Sequence, residues 1–169
     1  ALVGGAGAYA GAYVGGYAAG YARGHTMPAD GQLESMGVQT GDPIFYLGRP
    51  ATPAKFIVGL LEGPFSHNNI YVGNGQVADN SSGHKASVRQ LTHPQFQGRR
   101  FIAFRGAPGA ASLNYEALTS NYANANGMYN PATLNVCSTF CSAIYSAGNV
   151  EYPSGIGPNA QFINQLLQQ

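Results

Sequence analysis

Tryptophan is absent from this 169-residue chain, cysteine occurs twice, and only 9% of residues are charged. Each scarcity excludes something. The formal charge is +1 and Arg99, Arg100 and Arg105 form the one visible basic cluster, so no broad phosphate-tracking surface exists and nucleic acid is not an expected partner. Two cysteines, Cys137 and Cys141, are too few for a disulfide scaffold, and their spacing on one helix would not readily bridge. Free thiols follow, which leaves the redox compartment open. No Gly-Lys-Ser/Thr phosphate loop or paired-glycine dinucleotide fingerprint occurs, because the Gly-rich start lacks the preceding strand that such a loop needs. No basic segment precedes an apolar run at Ala1, so an intact signal peptide is not expected, and the sequence reads as the C-terminal piece of a longer polypeptide.

What abounds is small residues. Residues 1–22 are almost wholly Gly, Ala, Tyr and Val, with Tyr9, Tyr13, Tyr17 and Tyr21 recurring every fourth position. As a helix the segment would stack those tyrosines beside notches at Gly7, Gly11 and Gly15 and reach about 33 Å, enough to span a bilayer. Glycine costs about 1 kcal/mol per helical position, so a linker or a contact with the parent polypeptide competes with membrane contact. Gly24 to Gly41, with Pro28 and Gly31, reads as a linker or lead-in loop. The expected organisation is a leader and linker over 1–40 and one domain over 41–169.

Within the domain, Ile44-Phe45-Tyr46-Leu47 is a short apolar run bounded by Pro43 and Gly48, the pattern of a buried strand, and Phe56 to Leu61 is a second run. Ile70-Tyr71-Val72 and Gln76-Val77-Ala78 flank Gly73-Asn74-Gly75, a hairpin signal, since Asn-Gly accepts the positive φ of tight turns. Arg100 to Arg105 adds a further strand. The period then changes. Leu113, Ala117 and Leu118 behind Ser112 as N-cap predict a helix ending near Gly127, and Phe140, Cys141, Ile144 and Tyr145 predict another closed by Gly148. Phe162, Ile163, Leu166 and Leu167 mark a final amphipathic segment with Pro158 in its first turn. Sheet followed by helices predicts an α+β domain.

Three residues suggest chemistry. Cys137 falls where the loop Asn130-Pro131-Ala132-Thr133 feeds a helix, and a helix N-terminus favours the thiolate and offers backbone N–H groups, those of Cys137 and Ser138, to an oxyanion. The competing reading is an inert buried cysteine. His67, at the start of the Ile70 strand, can serve as its base or be structural. Asp79 closes the partner strand and can orient the imidazole or be a solvated carboxylate. Cys137, Cys141, His67 and His84 can be drawn as a zinc set, but only the cysteine spacing supports it, so neither a metal nor a cofactor is expected.

Gly41-Asp42-Pro43-Ile44-Phe45-Tyr46 and then Ser66-His67-Asn68-Asn69-Ile70-Tyr71-Val72-Gly73-Asn74-Gly75-Gln76-Val77-Ala78-Asp79 resemble the strand and histidine-hairpin block of NlpC-type papain-like peptidases. Val136-Cys137-Ser138-Thr139-Phe140-Cys141, continuing to Gly148, resembles their nucleophile helix, and Tyr152-Pro153 falls where a proline often follows it. Here the cysteine block comes after the histidine block. The resemblance is therefore to the circularly permuted branch that includes lecithin:retinol acyltransferase-like proteins, and it spans about residues 41–157. It implies a papain-like fold with Cys137 as nucleophile, His67 as base and Asp79 in the third polar position, where His, Asn or Gln is usual. Asn68-Asn69 in place of Val-Gly and Val136 in place of Asp or Asn are further departures.

By that analogy the expected function is a cysteine-dependent amide hydrolase acting on bacterial cell-wall peptide, as a toxin or effector domain secreted or delivered into a target cell or periplasm, with an immunity or carrier protein as partner. Fold-level analogy leaves rivals: a lipid acyl hydrolase or acyltransferase, a protein deamidase or protease, and a shell that only binds.

Overall fold

A computed structural model of the protein describes residues 21–48 and 65–152 together with Pro158 and Gln161. Six strands form one antiparallel sheet: β1 (Tyr21–Thr26), β2 (Pro43–Leu47), β3 (Phe65–Gly73), β4 (Gln76–Asp79), β5 (Ser87–Gln90) and β6 (Arg100–Ala103), in the order β1-β6-β2-β3-β4-β5. Two helices follow, α1 (Tyr115–Asn126) and α2 (Cys137–Ala147). The chain is α+β, as the change of period predicts.

Strand alternation sends successive side chains to opposite faces, and the core divides accordingly. Ile44, Tyr46, Tyr71, Val77, Phe101 and Ala103 join Met27, Leu33, Val38, Leu91 and Phe96 on one face. Ile70 and Ala78, on the other, meet Tyr115, Ala123, Phe140, Cys141, Ile144 and Tyr145 of the two helices. Residues 24–40 are thus not a linker. β1 pairs with β6, and Met27, Leu33 and Val38 are buried, so the folded unit begins before the expected boundary at residue 41. Their burial removes the apolar positions of a polar-looking stretch from water, a signal too sparse to show periodicity in the sequence.

α1 is capped by Asn114, whose side chain accepts the Ala117 N–H at 3.1 Å, rather than by Ser112, which lies in a preceding 3-10 turn. Leu113 is extended after that turn, so Asn114 is the residue that immediately precedes the helix. α2 ends at Gly148 as predicted. The Phe56 to Leu61 run, the repeat over 1–20 and most of the final amphipathic segment lie outside the described residues. Among the described residues no helix is long and apolar enough to cross a membrane.

The helical layer is held to the sheet by a close approach at Gly41 and Gly106. A Cβ on Gly106 would sit 2.2 Å from the Gly41 carbonyl oxygen, and that same carbonyl accepts the Tyr145 hydroxyl at 2.7 Å. Gly106→Ala is expected to cost about 1–3 kcal/mol through backbone displacement, measured as a lower urea midpoint with unchanged slope.

Candidate active site

His67 is the third residue of β3, and its neighbours on the same face are set by the hairpin register. Beyond the turn at Asn74-Gly75, where both residues have positive φ, pairing shifts by one residue between Tyr71 and Gly73. A bulge matters here because a one-residue slip moves every side chain of a strand to the other face. With it, Tyr71 opposes Val77 and Ile70 opposes Ala78, so odd-numbered residues of both strands share a face. His67, Asn69 and Asp79 therefore point the same way. His67 Nε2 lies 2.6 Å from Asp79 Oδ1, and Asn69 Nδ2 reaches the same oxygen at 3.4 Å.

The imidazole lies beside two aromatic rings that also stack on each other. Tyr46, directly opposite on β2, has its ring centroid 5.8 Å away, and Phe96 stacks at 6.4 Å with 27° between planes. The His67 side chain is 12% exposed and that of Asp79 not at all. With Nε2 engaged by Asp79, Nδ1 is the ring nitrogen that remains for another partner.

That partner is Cys137, although α2 packs against the opposite face of the sheet. The explanation lies in where β4 ends. Its pairing with β3 reaches only Ile70–Ala78, whereas β3 runs on beside β2 through Asn69, Asn68 and His67. The far edge of β3 is left open along that stretch, and α2 packs against β3. The His67 ring and the Asn68 backbone N–H are the polar groups that act on the Cys137 sulfur.

The entrance to α2 is braced by polar side chains. Asn130 and Asn135 exchange backbone bonds of 2.9 and 3.0 Å, closing the loop in which Pro131–Thr133 forms a 3-10 turn. Asn135 Oδ1 accepts from Asn80 Nδ2 at 2.8 Å and the Tyr122 hydroxyl at 2.9 Å, while its Nδ2 donates to the Asn126 and Met128 carbonyls. The chain leaving β4 is thereby tied to the chain entering α2. Val136 cannot cap with its own side chain, so Thr139 Oγ1 accepts the Val136 N–H at 3.1 Å instead. Gln161 bridges from the far side: its Nε2 donates to the Ser138 carbonyl and Ser142 Oγ, and its Oε1 accepts from Asn68 Nδ2 at 2.6 Å. Asn135→Ala strands the buried Asn80 amide and the half-buried Tyr122 hydroxyl and is expected to cost about 2–4 kcal/mol, read as a lower denaturant midpoint.

The electrostatics follow from burial opposed by pairing. Burial alone would lower the His67 pKa, but the Asp79 and Cys137 charges and hydrogen bonds outweigh it and push it up to about 10. Burial alone would raise Asp79, yet the His67 charge and hydrogen bond hold it below the usual carboxylate value. Cys137, 5% exposed, is likewise subject to desolvation that favours the thiol, and the His67 charge, the bond to its ring and the Asn68 N–H bring its pKa down instead. Cys141 lies one turn on with no such partner, and burial drives its pKa well up. The two thiols of the chain are thus opposite in character. Phe140 N–H bonds to the Val136 carbonyl, so Cys137 and Ser138 lie in the first turn of α2.

Sequence reasoning missed Arg89, Gln95, Asn135 and Gln161. Arg89 opposes Val77 from β5, diagonal to Asp79 on one face, but the short half-exposed strand carries no signal in the sequence. His84 is remote from this constellation in role, its carbonyl accepting the Tyr129 N–H at 3.0 Å, and among the described residues no group of three His, Cys, Asp or Glu could hold a metal. Compared with known proteins, the chain matches no family model, no curated protein and no solved structure.

Proposed function

We propose that this chain is a cysteine-dependent amide hydrolase of the papain-like kind, built in the order of the circularly permuted NlpC-type branch. The observation that carries the reading is the meeting of Cys137, His67 and Asp79, from α2, β3 and β4, around one imidazole. A thiol beside a base that is itself oriented by a third group is the arrangement nucleophilic catalysis requires. The element order supports the permuted form, since the strands bearing His67 and Asp79 precede the helix bearing Cys137.

In this reading the Cys137 thiolate attacks the amide carbonyl carbon, and the N–H groups of Cys137 and Ser138 receive the oxyanion. The C–N bond breaks as the His67 imidazolium gives its proton to the leaving amine, which departs and leaves a thioester. Water then loses a proton to His67 and attacks that thioester, breaking the C–S bond, releasing a carboxylic acid and restoring the thiolate–imidazolium pair. One water is consumed per bond cleaved. Asp79 keeps the imidazole turned with Nε2 inward, so that Nδ1 carries the transferred proton.

For substrate we propose a peptide amide of the bacterial cell wall, on the strength of the resemblance. The test exposes purified sacculi, phospholipid vesicles and a protein extract in parallel to the native chain and to Cys137→Ala. New amine and carboxyl ends from sacculi with the native chain alone are the expected result. Products formed equally by both chains would remove the thiol from the mechanism, and turnover confined to vesicles or extract would move the substrate to a lipid ester or a protein.

A further inference from the structure

Asp79 has a second side. While Oδ1 faces His67, Oδ2 accepts from Gln95 Nε2 at 3.1 Å and lies 3.6 Å from Arg89 Nη1. Arg89 Nη1 is held in turn by Gln95 Oε1 and Ser81 Oγ, both at 3.0 Å. The Arg89 side chain is only 12% exposed. A guanidinium so far out of water needs an answering negative charge, and the carboxylate beside it is Asp79. With Cys137 as thiolate, His67 protonated and Asp79 ionised, the three groups sum to one negative charge in a buried space, and Arg89 cancels it.

We infer that Arg89 is a positioning residue which, through Asp79, holds the buried Cys137–His67–Asp79 site near zero net charge and so tunes the ionisation of Cys137. This rests on the thiolate–imidazolium reading proposed above. The other titratable or charged groups facing the cluster are Tyr46 from β2, Cys141 from α2, Tyr129 before α2, Tyr152 after it, and His93, whose Nε2 is 3.2 Å from Arg89 Nη2. Burial keeps Tyr46 and Cys141 protonated across the working range. Arg99 is the second fixed cation nearby, but it lies over the Tyr46 ring at 4.9 Å and donates to the Leu47 carbonyl and Ser66 Oγ. Among the described residues, Arg89 is the arginine paired with the Asp79 carboxylate.

The sign is fixed by electrostatics. Removing a positive charge makes the site more negative, which opposes loss of the Cys137 proton and favours a protonated His67, so both ionisations move to higher pH. Adjacent charges screened as at a partly buried site give a shift on the order of half to one pH unit. The experiment measures the rate of Cys137 alkylation by iodoacetamide against pH in the whole chain, for the native protein, Arg89→Gln and Arg89→Lys, with circular dichroism to check folding. Arg89→Gln is expected to raise the midpoint by that amount, and Arg89→Lys, which keeps the charge, to leave it near the native value. A folded Arg89→Gln with the native midpoint overturns the inference, because a purely structural residue would change stability and not the midpoint. If Arg89→Gln does not fold, Gln95→Ala, which unties the guanidinium from the carboxylate, takes its place: a raised midpoint supports the inference and an unmoved one overturns it. A native protein whose Cys137 titrates as an ordinary thiol would instead sink the underlying reading, so the two failures are distinguishable.

Discussion

Cys137→Ala is expected to abolish turnover, a loss of at least about 10⁴-fold in kcat, with the fold retained. The sulfur is the atom that forms the covalent intermediate, and neither His67 nor bound water reproduces it. Cys141 cannot substitute. It lies in the core with Ile144 and Tyr145 and its thiol is pushed away from ionisation by burial, so it is a packing residue four positions further along the same helix. Cys141→Ala should therefore show the reverse pattern: kcat within a few-fold of native and a stability loss of about 1–2 kcal/mol from the cavity left at a fully buried position. Kinetics on the substrate identified with sacculi, run beside thermal melts of both variants, separate the two roles. Equal loss of activity in both variants would mean that the helix packing, and not the sulfur at 137, is what matters.

Asp79 is the position where one substitution changes stability and pH dependence together. Asp79→Ala leaves two buried cationic or polar partners, His67 and Arg89, without their carboxylate, and breaking such a pair costs about 3–5 kcal/mol. Asp79→Asn keeps the shape and separates charge from hydrogen bonding. His67 is held at about 10, above its ordinary 6.5, so its charged form adds stability that is complete below about 6.5 and fades as pH climbs through 10. Asp79 sits below its ordinary 3.8, so its contribution is complete above that value and fades as pH falls through the lowered one. The ion pair accordingly stabilises most between roughly pH 4 and 6.5. In Asp79→Asn both flanks should flatten in denaturant midpoints measured against pH, and the alkaline limb of kcat should move down by more than one pH unit as His67 loses its anion. An alkaline limb unchanged in Asp79→Asn would show that the carboxylate does not govern the imidazole.

Much of the site was legible because its elements are local. Asn74-Gly75 announces the hairpin that carries His67 and Asp79, and Gly148 with the apolar positions of Phe140, Ile144 and Tyr145 announces the helix behind Cys137. The bulge between Tyr71 and Gly73 was not legible, and yet it decides whether His67 and Asp79 share a face. Its cause is three-dimensional: the Glu34 carboxylate accepts from both the Tyr71 hydroxyl and the Asn74 N–H, pinning the turn from a segment that reads as linker. β1 was hidden in a repetitive stretch and exists by pairing with β6 some 75 residues later, a long-range contact that no window of sequence contains. β5 is four residues with no buried position, so its Arg89 could not be assigned a face until the strand beside it was known. Position 112 lost the capping role to Asn114 for a related reason, since competing caps two residues apart are separated only by the turn that precedes them.

The most direct measurement follows the thiolate itself by its ultraviolet absorbance as pH is raised, in the Cys141→Ala background so that a single thiol is read, with His67 intact and with His67→Ala. Coupling between sulfur and ring predicts an ionisation well below that of a free cysteine when His67 is present, rising by more than one unit when it is removed. Superimposable curves, both at the position of an ordinary buried thiol, would contradict it.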